Sequence, residues 1–466
     1  MNYNTETIKQ IASAMAGLFK TAVIEQKESS GSDPTIAEIE TEMRQMFRQI
    51  GEQALGMLLS GLQSTPELEI ACRCGGTLRY QRIRPATLVS VFGRVQYERA
   101  YYAGCQCHQG KAPLDERYGL EPGAVTAGLA ALLSLAGIAF SYNESPRWIN
   151  EYLLFAVAEN TVRAHTEQMG ALQAEHEQAL MQQCQTEAYL QEREHHSERV
   201  VSRLYGSMDA AKVRIEPRPK KGEAKGPHED WRDMKVLCWY EVEPVPPAQH
   251  STRHRAKVAR EQPALRAKNL QYFSDITPAG QFGKLLWATG CERYADRCPD
   301  LVFLGDGAEW IWNLVDFYYP KAVQIVDWFH AEEHLQGVAQ AAFSDPAQRT
   351  AWLEAVTQHL WDGQIDQVIA ACQALAASYL KAQQAMTYFT NNAQRMRYDR
   401  FRAAGYMIGS GTIESACKQV VTHRLDLPGA QWEVDGAVQT AKARCAWLSG
   451  DWHDLCQRRN ALPFAV

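Results

Sequence analysis

The chain has no excess of positive charge. Its 48 Lys and Arg are outnumbered by 54 Asp and Glu, giving a formal net charge of -6. An anionic partner would therefore have to be met by local clusters rather than by a generally basic surface. The chain also lacks an apolar run of membrane-spanning length. Its longest uncharged stretch, residues 124–140, is rich in Ala and Gly and includes Thr126 and Ser134. It falls short of the roughly 20 apolar residues a spanning helix needs, and it reads as a buried core helix. The N-terminus, MNYNTETIKQ, lacks the basic-then-apolar pattern of a secretory signal. No internal repeat is visible. The 12 cysteines do not form a disulfide framework: Cys72, Cys74, Cys105 and Cys107 cluster, and the others are scattered. That usage fits a reducing compartment, so a cytoplasmic protein without a membrane segment is expected. With 46% hydrophobic and 22% charged residues, wholesale disorder is excluded.

Periodicity divides what is present. Residues 1–66 are helical in pattern: Ile8, Ile11, Met15 and Leu18 share one face, and Met46, Ile50, Ala54, Leu58 and Leu62 another. Residues 67–118 change character. Leu88, Val89, Val91, Phe92, Val95 and Tyr97 are strand formers around a turn near Gly93. Cys72-x-Cys74 and Cys105-x-Cys107 bracket this small β module. Four thiolates could hold zinc tetrahedrally and staple a module too small for its own core. The one-residue spacing is tighter than the usual two, and His108 is an alternative fourth ligand. Residues 119–200 return to helix. Within them, PRWINEYLLFAVAENTVRAHTEQM (residues 146–169) reads as helix, break, helix. Arg163 lies near the start of the second helix, where a helix-turn-helix presents polar side chains to the major groove; a plain helical hairpin is the competing reading. The tail of this region, residues 167–199, is polar and expected to be exposed.

Residues 201–450 alternate. Strands are expected ending at Asp209, over 234–242, over 270–276, over 301–304 and over 322–326. Helices are expected over 281–295 and 308–319 and from about residue 329. Three strands followed by alternating helices and strands suggest one sheet with helices on its faces. Residues 345–400 are helical and form an insertion, and residues 451–466 are a tail. Two basic runs fall between expected strands. One holds Lys212, Arg214, Arg218, Lys220, Lys221 and Lys225. The other holds Arg253, Arg255, Lys257, Arg260, Arg266 and Lys268. With Arg395, Arg397, Arg400, Arg402 and Lys418, they are candidates for phosphate contacts.

Three acidic residues stand where this pattern would bring them together. Asp209 lies on the first strand of the region, Asp306 follows the fourth in LVFLGDGAEW, and Glu414 lies in IGSGTIESACKQVV. Two divalent cations about 3.5–4 Å apart, held by such carboxylates, activate water and stabilise the leaving oxygen in phosphodiester cleavage. Asp327 and His330, in DWFH, are further candidates; the plainer reading of Asp327 is a helix N-cap. His330 and His334 share a helix face, but the HExxH pattern of a zinc helix is absent.

GDGA (305–308), DWFHAEEHL (327–335) and IGSGTIESACKQVV (408–421) resemble the motifs of bacterial DDE-class insertion-sequence transposases. The nearest group is the Kra-type family, related to Mutator-like transposases. The resemblance covers residues from about 70 to about 450. It implies an α/β ribonuclease-H-like catalytic core with an α-helical insertion, preceded by a zinc-ribbon-like module. It implies cleavage at transposon ends and strand transfer, dependent on Mg²⁺ or Mn²⁺, with Asp209, Asp306 and Glu414 as the catalytic and metal-binding triad and Asp327 and His330 in support. Terminal inverted repeats and target DNA would be the partners. The protein would act as a homodimer or higher oligomer, associated with the nucleoid when bound to DNA. One position departs from the family pattern: Ala210 follows the first aspartate where the family has glycine. The alternatives are a metal-dependent nuclease without strand transfer and an inactive transposase-derived DNA-binding protein.

Overall fold

The computed structural model describes residues 8–17, 19–20, 35–63, 65–193, 200–216, 230–245 and 265–459. The chain divides into two compact units, Met1–Thr166 with Cys456–Val466, and Glu167–Leu455.

The first unit is built on a helix and a small sheet. The helix Ile36–Gly61 opens with a capping box in which Thr35 and Glu38 satisfy one another's backbone N–H groups. Strands β1 (Glu69–Ala71), β2 (Thr77–Ser90) and β3 (Gly93–Ala103) form an antiparallel sheet in that order. The turn expected near Gly93 closes the Ser90↔Gly93 pair. As an edge strand, β3 has backbone donors without a strand partner. The helix supplies acceptors for three of them: Glu52 takes the N–H of Arg94 (2.9 Å), Ser60 that of Glu98 (2.9 Å) and Gln63, just beyond the helix, that of Ala100 (2.8 Å). Gly56 lets the helix sit this close, since a Cβ there would lie 2.2 Å from the Gln96 carbonyl. The run at 124–140 is the helix Ala127–Ala139, with Leu129, Leu133 and Ile138 buried. Among the described residues no helix is long and apolar enough to cross a membrane.

The second unit is mixed α/β. Its five strands are β4 (Arg203–Ile215), β5 (Asp230–Pro244), β6 (Leu265–Asp275), β7 (Asp300–Gly305) and β8 (Val323–Val326), in the order β6-β5-β4-β7-β8. The β6, β5 and β4 pairings are antiparallel, while β4–β7 and β7–β8 are parallel. The parallel steps pass through the helices Ala279–Glu292 and Glu309–Tyr318. Trp239 on β5 is fully buried, packs edge-on against Phe303 of β7, and donates its indole N–H to Thr289 (2.9 Å). After β8 come the helix Trp328–Ala342 and the helical segment Pro346–Trp361, Ile365–Ala376 and Leu380–Asn392.

Two expectations are corrected here. The first is the exposure of residues 167–199: the helix Glu159–Gln183 buries Met169, Gln173, Glu177 and Leu180. Its acid can be buried because Lys442, on the helix Val434–Leu448, reaches Glu177, Asp275 (3.1 Å) and the carbonyl of Ser274 (2.9 Å). The second is the placement of the basic runs between strands. Lys212 and Arg214 lie within β4 and Arg266 and Lys268 within β6, because cross-strand pairing accommodates them. Lys212 pairs with Asp233, Arg214 with Glu216, and Arg266 and Lys268 with Glu243.

The Lys442 ammonium is a test of how this unit is held. Burial alone would lower its pKa, but Glu177 and Asp275 outweigh burial and hold it above the ordinary lysine value. Its contribution to stability is therefore complete at neutral pH, below the unfolded value of about 10.4. It is lost only as pH rises through the still higher folded value. Lys442→Met should destabilise the protein by about 3–5 kcal/mol, because it strands a buried carboxylate. Urea unfolding at pH 7 measures this, and the difference from wild type should shrink in strong alkali.

Candidate active site

The parallel strands β4, β7 and β8 carry the site. Their registers set Ser207 beside Leu304 and Gly305 beside Val326. Continuing those registers by one or two residues puts Asp209, Asp306 and Asp327 in a row across three neighbouring strands. The N–H of Asp327 donates to the carbonyl of Gly305 (2.8 Å), which holds the row together. The carboxyl ends of parallel strands are where open α/β sheets place their ligands.

Asp209 is half-buried. Its Oδ1 accepts the N–H of Ala210 (2.6 Å), and its Oδ2 lies 3.6 Å from the Cys417 thiol. Burial, and then the neighbouring charge of Asp306, push its pKa up; the Ala210 N–H, Cys417 and His330 work the other way. Asp306 accepts the Ala308 N–H on Oδ1 (2.8 Å), and its backbone carbonyl accepts the hydroxyl of Tyr388 (2.8 Å) from the helical insertion. Gly307 makes this approach feasible. Its φ is +98°, and a Cβ there would lie 2.5 Å from the Tyr388 ring.

Asp327 is 1% exposed and caps the helix Trp328–Ala342. Its Oδ1 accepts the N–H of His330 (2.6 Å) and its Oδ2 that of Ser410. Burial is the main reason its pKa is raised; both backbone donors oppose this, and the charge of Glu414 adds to it. Since both oxygens are taken by backbone, Asp327 positions rather than reacts.

What it positions is the segment leading to Glu414. Arg203 donates to the carbonyls of Ala404 (3.1 Å) and Gly405 (2.9 Å). The Tyr205 hydroxyl accepts the Met407 N–H (3.1 Å), and the Trp328 N–H donates to Ile408 (2.9 Å). The helix Gly411–Cys417 follows, with Glu414 exposed in its first turn and Cys417 buried one turn on. The chain then widens into a π-helical turn, Lys418–Thr422, whose Gln419 carbonyl accepts from Arg444. Such turns recur at functional sites.

Asp209, Asp306 and His330 thus share one electrostatic neighbourhood, and Glu414 lies within reach of Asp327. Among the described residues, the four clustered cysteines are the one group of three or more metal-ligating side chains whose ligand atoms all fall within 4.8 Å of one another. Asp209, Asp306 and Glu414 are therefore spread more widely than that. His330 approaches Glu333 (3.6 Å), and His334 stacks on Tyr388 with ring centroids 3.9 Å apart, so the two histidines do not form a zinc pair.

The expected DNA contacts divide. Arg163 pairs with Glu159 (2.9 Å) and lies over the Tyr142 ring, and Arg397 pairs with Asp399 (3.2 Å). Arg400 and Lys418 are exposed. Arg253, Arg255, Lys257 and Arg260, with Arg218, Lys220, Lys221 and Lys225, lie outside the described residues. Sequence reading missed Tyr388, Ser410, Arg203, Tyr205 and Cys417. Of these, only Ser410 and Cys417 sit inside a motif that drew attention.

In the first unit Cys72, Cys74, Cys105 and Cys107 form a cluster that could hold a structural metal such as zinc. Their Sγ atoms lie 3.2 Å (Cys74–Cys105), 3.4 Å (Cys72–Cys74) and 3.5 Å (Cys72–Cys107) apart. That is near the roughly 3.8 Å edge of a zinc-thiolate tetrahedron and far from the about 2.05 Å of a disulfide. Gly76 leaves the space, since a Cβ there would lie 2.8 Å from the Cys105 sulfur. His108 is not one of the four.

No protein-family model matches the chain, and no curated protein matches it either.

Two outcomes follow from this geometry. Elemental analysis of protein purified without chelator should find one zinc per chain, and Cys105→Ser should lose it together with thermal stability. Gly307→Ala should destabilise by more than about 1 kcal/mol, since it combines a disfavoured φ with a clash; thermal unfolding reads this directly.

Proposed function

We propose that the chain is a DNA transposase of the DDE class, with a ribonuclease-H-like catalytic core in its second unit and a helical insertion between β8 and Glu414. The observation that carries this reading is the placement of Asp209 and Asp306 side by side on the neighbouring parallel strands β4 and β7, with the Glu414 segment tied to the adjacent strand end through Asp327. The strand order, with the first strand central and the fourth and fifth parallel to it, supports a ribonuclease-H-like core. So do the GDGA, DWFH and IGSGTIES motifs.

Hard carboxylate oxygens suit Mg²⁺ or Mn²⁺. Asp209, Asp306 and Glu414 would hold such ions, which supply water activation and charge stabilisation at the cleaved phosphodiester. The chain's own residues do the rest. Asp327 fixes the Glu414 segment, and Tyr388 fixes the backbone at Asp306. Arg400 and Lys418 offer exposed positive charge beside Glu414 for the phosphate backbone. Freed 3′ ends would then attack target DNA.

Labelled DNA carrying the element's own ends, incubated with the protein and Mg²⁺, tests the reading. Cleavage at the ends is expected, abolished by chelator. Asp306→Asn should lower it more than about 100-fold, beyond the usual loss on removing a mere supporting group. Cutting without strand transfer would make the protein a nuclease. Specific binding without cutting would make it a DNA-binding relic, the alternative that Ala210 keeps open.

A further inference from the structure

The helix Ile36–Gly61 begins as an overhang. Every residue from Ile36 to Gln45 is exposed, so its first turns have no packing partner in the described chain. A helix this short is marginal in water without one. Yet it carries an apolar stripe: Ile36 is 76% exposed, Ile39 37%, Met43 41% and Phe47 53%. Ile36, Ile39, Met43, Met46 and Ile50 follow the alternating three- and four-residue spacing of a coiled-coil seam. A solvated face would not repeat this spacing over two heptads.

The stripe is complementary to itself. When two copies of the helix are laid antiparallel about Met43, Met43 meets its own counterpart, Ile39 meets Phe47, and Ile36 meets Ile50. The same alignment sets Glu42 against Arg44 and Glu38 against Arg48, so apolar faces apolar and acid faces base. Arg44 is held in place by the backbone carbonyls of Glu151 (2.8 Å) and Tyr152 (3.1 Å), neither of which neutralises it. Arg48 also bridges to Glu52 (2.9 Å). From Ile36 to Ile50 the seam is about 21 Å long at 1.5 Å per residue. Ile8, Met15 and Phe19 add exposed apolar surface in the same unit.

We propose that residues 36–50 pair antiparallel, about a two-fold axis at Met43, with the same helix of a second copy of this chain. The interface is isologous, so it closes at two copies.

Light scattering of the full-length protein at micromolar concentration should give twice the chain mass. Met43→Glu places two like charges at the axis and should weaken the dimer by about 100-fold or more. Thr41→Glu, on the opposite face of the helix, should leave it intact. If Met43→Glu loses helix by circular dichroism, Ile39→Ser serves the same comparison. A wild-type protein of single-chain mass overturns the proposal, and so does a dimer that survives both seam substitutions. The measurement needs neither DNA nor metal, so its outcome is separate from that of the cleavage assay.

Discussion

The second unit's site depends on one buried carboxylate. Asp327 spends both oxygens on backbone donors, one from the helix it caps and one from Ser410. A buried carboxylate is unfavourable unless hydrogen-bonded, so these two bonds are what make its burial tolerable. They also fix a relation that covalent continuity does not. The helical insertion separates β8 from the Glu414 segment in sequence, and Asp327 joins their ends in space. Without this tie, Glu414 would ride on a seven-residue helix whose own hydrogen bonds cannot hold it in place.

The scaffold around this tie is stiff because its edges are finished. In the second unit β6 is an edge strand, and the helix Val434–Leu448 with the residue after it covers it. Ser449 takes the Tyr272 N–H (2.9 Å), and Lys442 donates to the Ser274 carbonyl (2.9 Å). In the first unit, Glu52, Ser60 and Gln63 do the same for β3. Each device replaces a missing strand with side chains from a helix, which blunts the edge against pairing with other chains. Asp209 then sits on the central strand of its sheet, paired on both sides. Rigid support of that kind is what a precisely placed ligand needs.

Much of this was legible in the sequence, for identifiable reasons. Short apolar runs marked β4 to β8, and Asp306 followed one of them directly. Cys72, Cys74, Cys105 and Cys107 stood out by spacing, and Asp327 by its position just before a helix. What was not legible depends on partners remote in sequence. The polar helix around Glu177 reads as exposed until Lys442 is known to meet it. Lys212, Arg214, Arg266 and Lys268 read as loop charge until cross-strand acids appear opposite or beside them. Tyr388 sits in an insertion whose helical pattern gives no sign that its hydroxyl reaches Asp306. The wide spacing of Asp209, Asp306 and Glu414 was not legible either, since motif order carries no distances.

The two donor sets differ in hardness, and that sorts the metals each could take. Four thiols in the first unit suit zinc, while the carboxylates of the second suit harder cations. Cys417, beside Asp209, looks like an exception that would admit a soft ion to the carboxylate site. Its chemistry argues otherwise. Burial first, and then the charge of Asp209, push its pKa well above that of an ordinary thiol. The side chain that binds soft metals is the thiolate, and here the proton stays on sulfur. Cys417 therefore acts as a weak donor to Asp209, helping to orient the carboxylate without offering a ligand of its own.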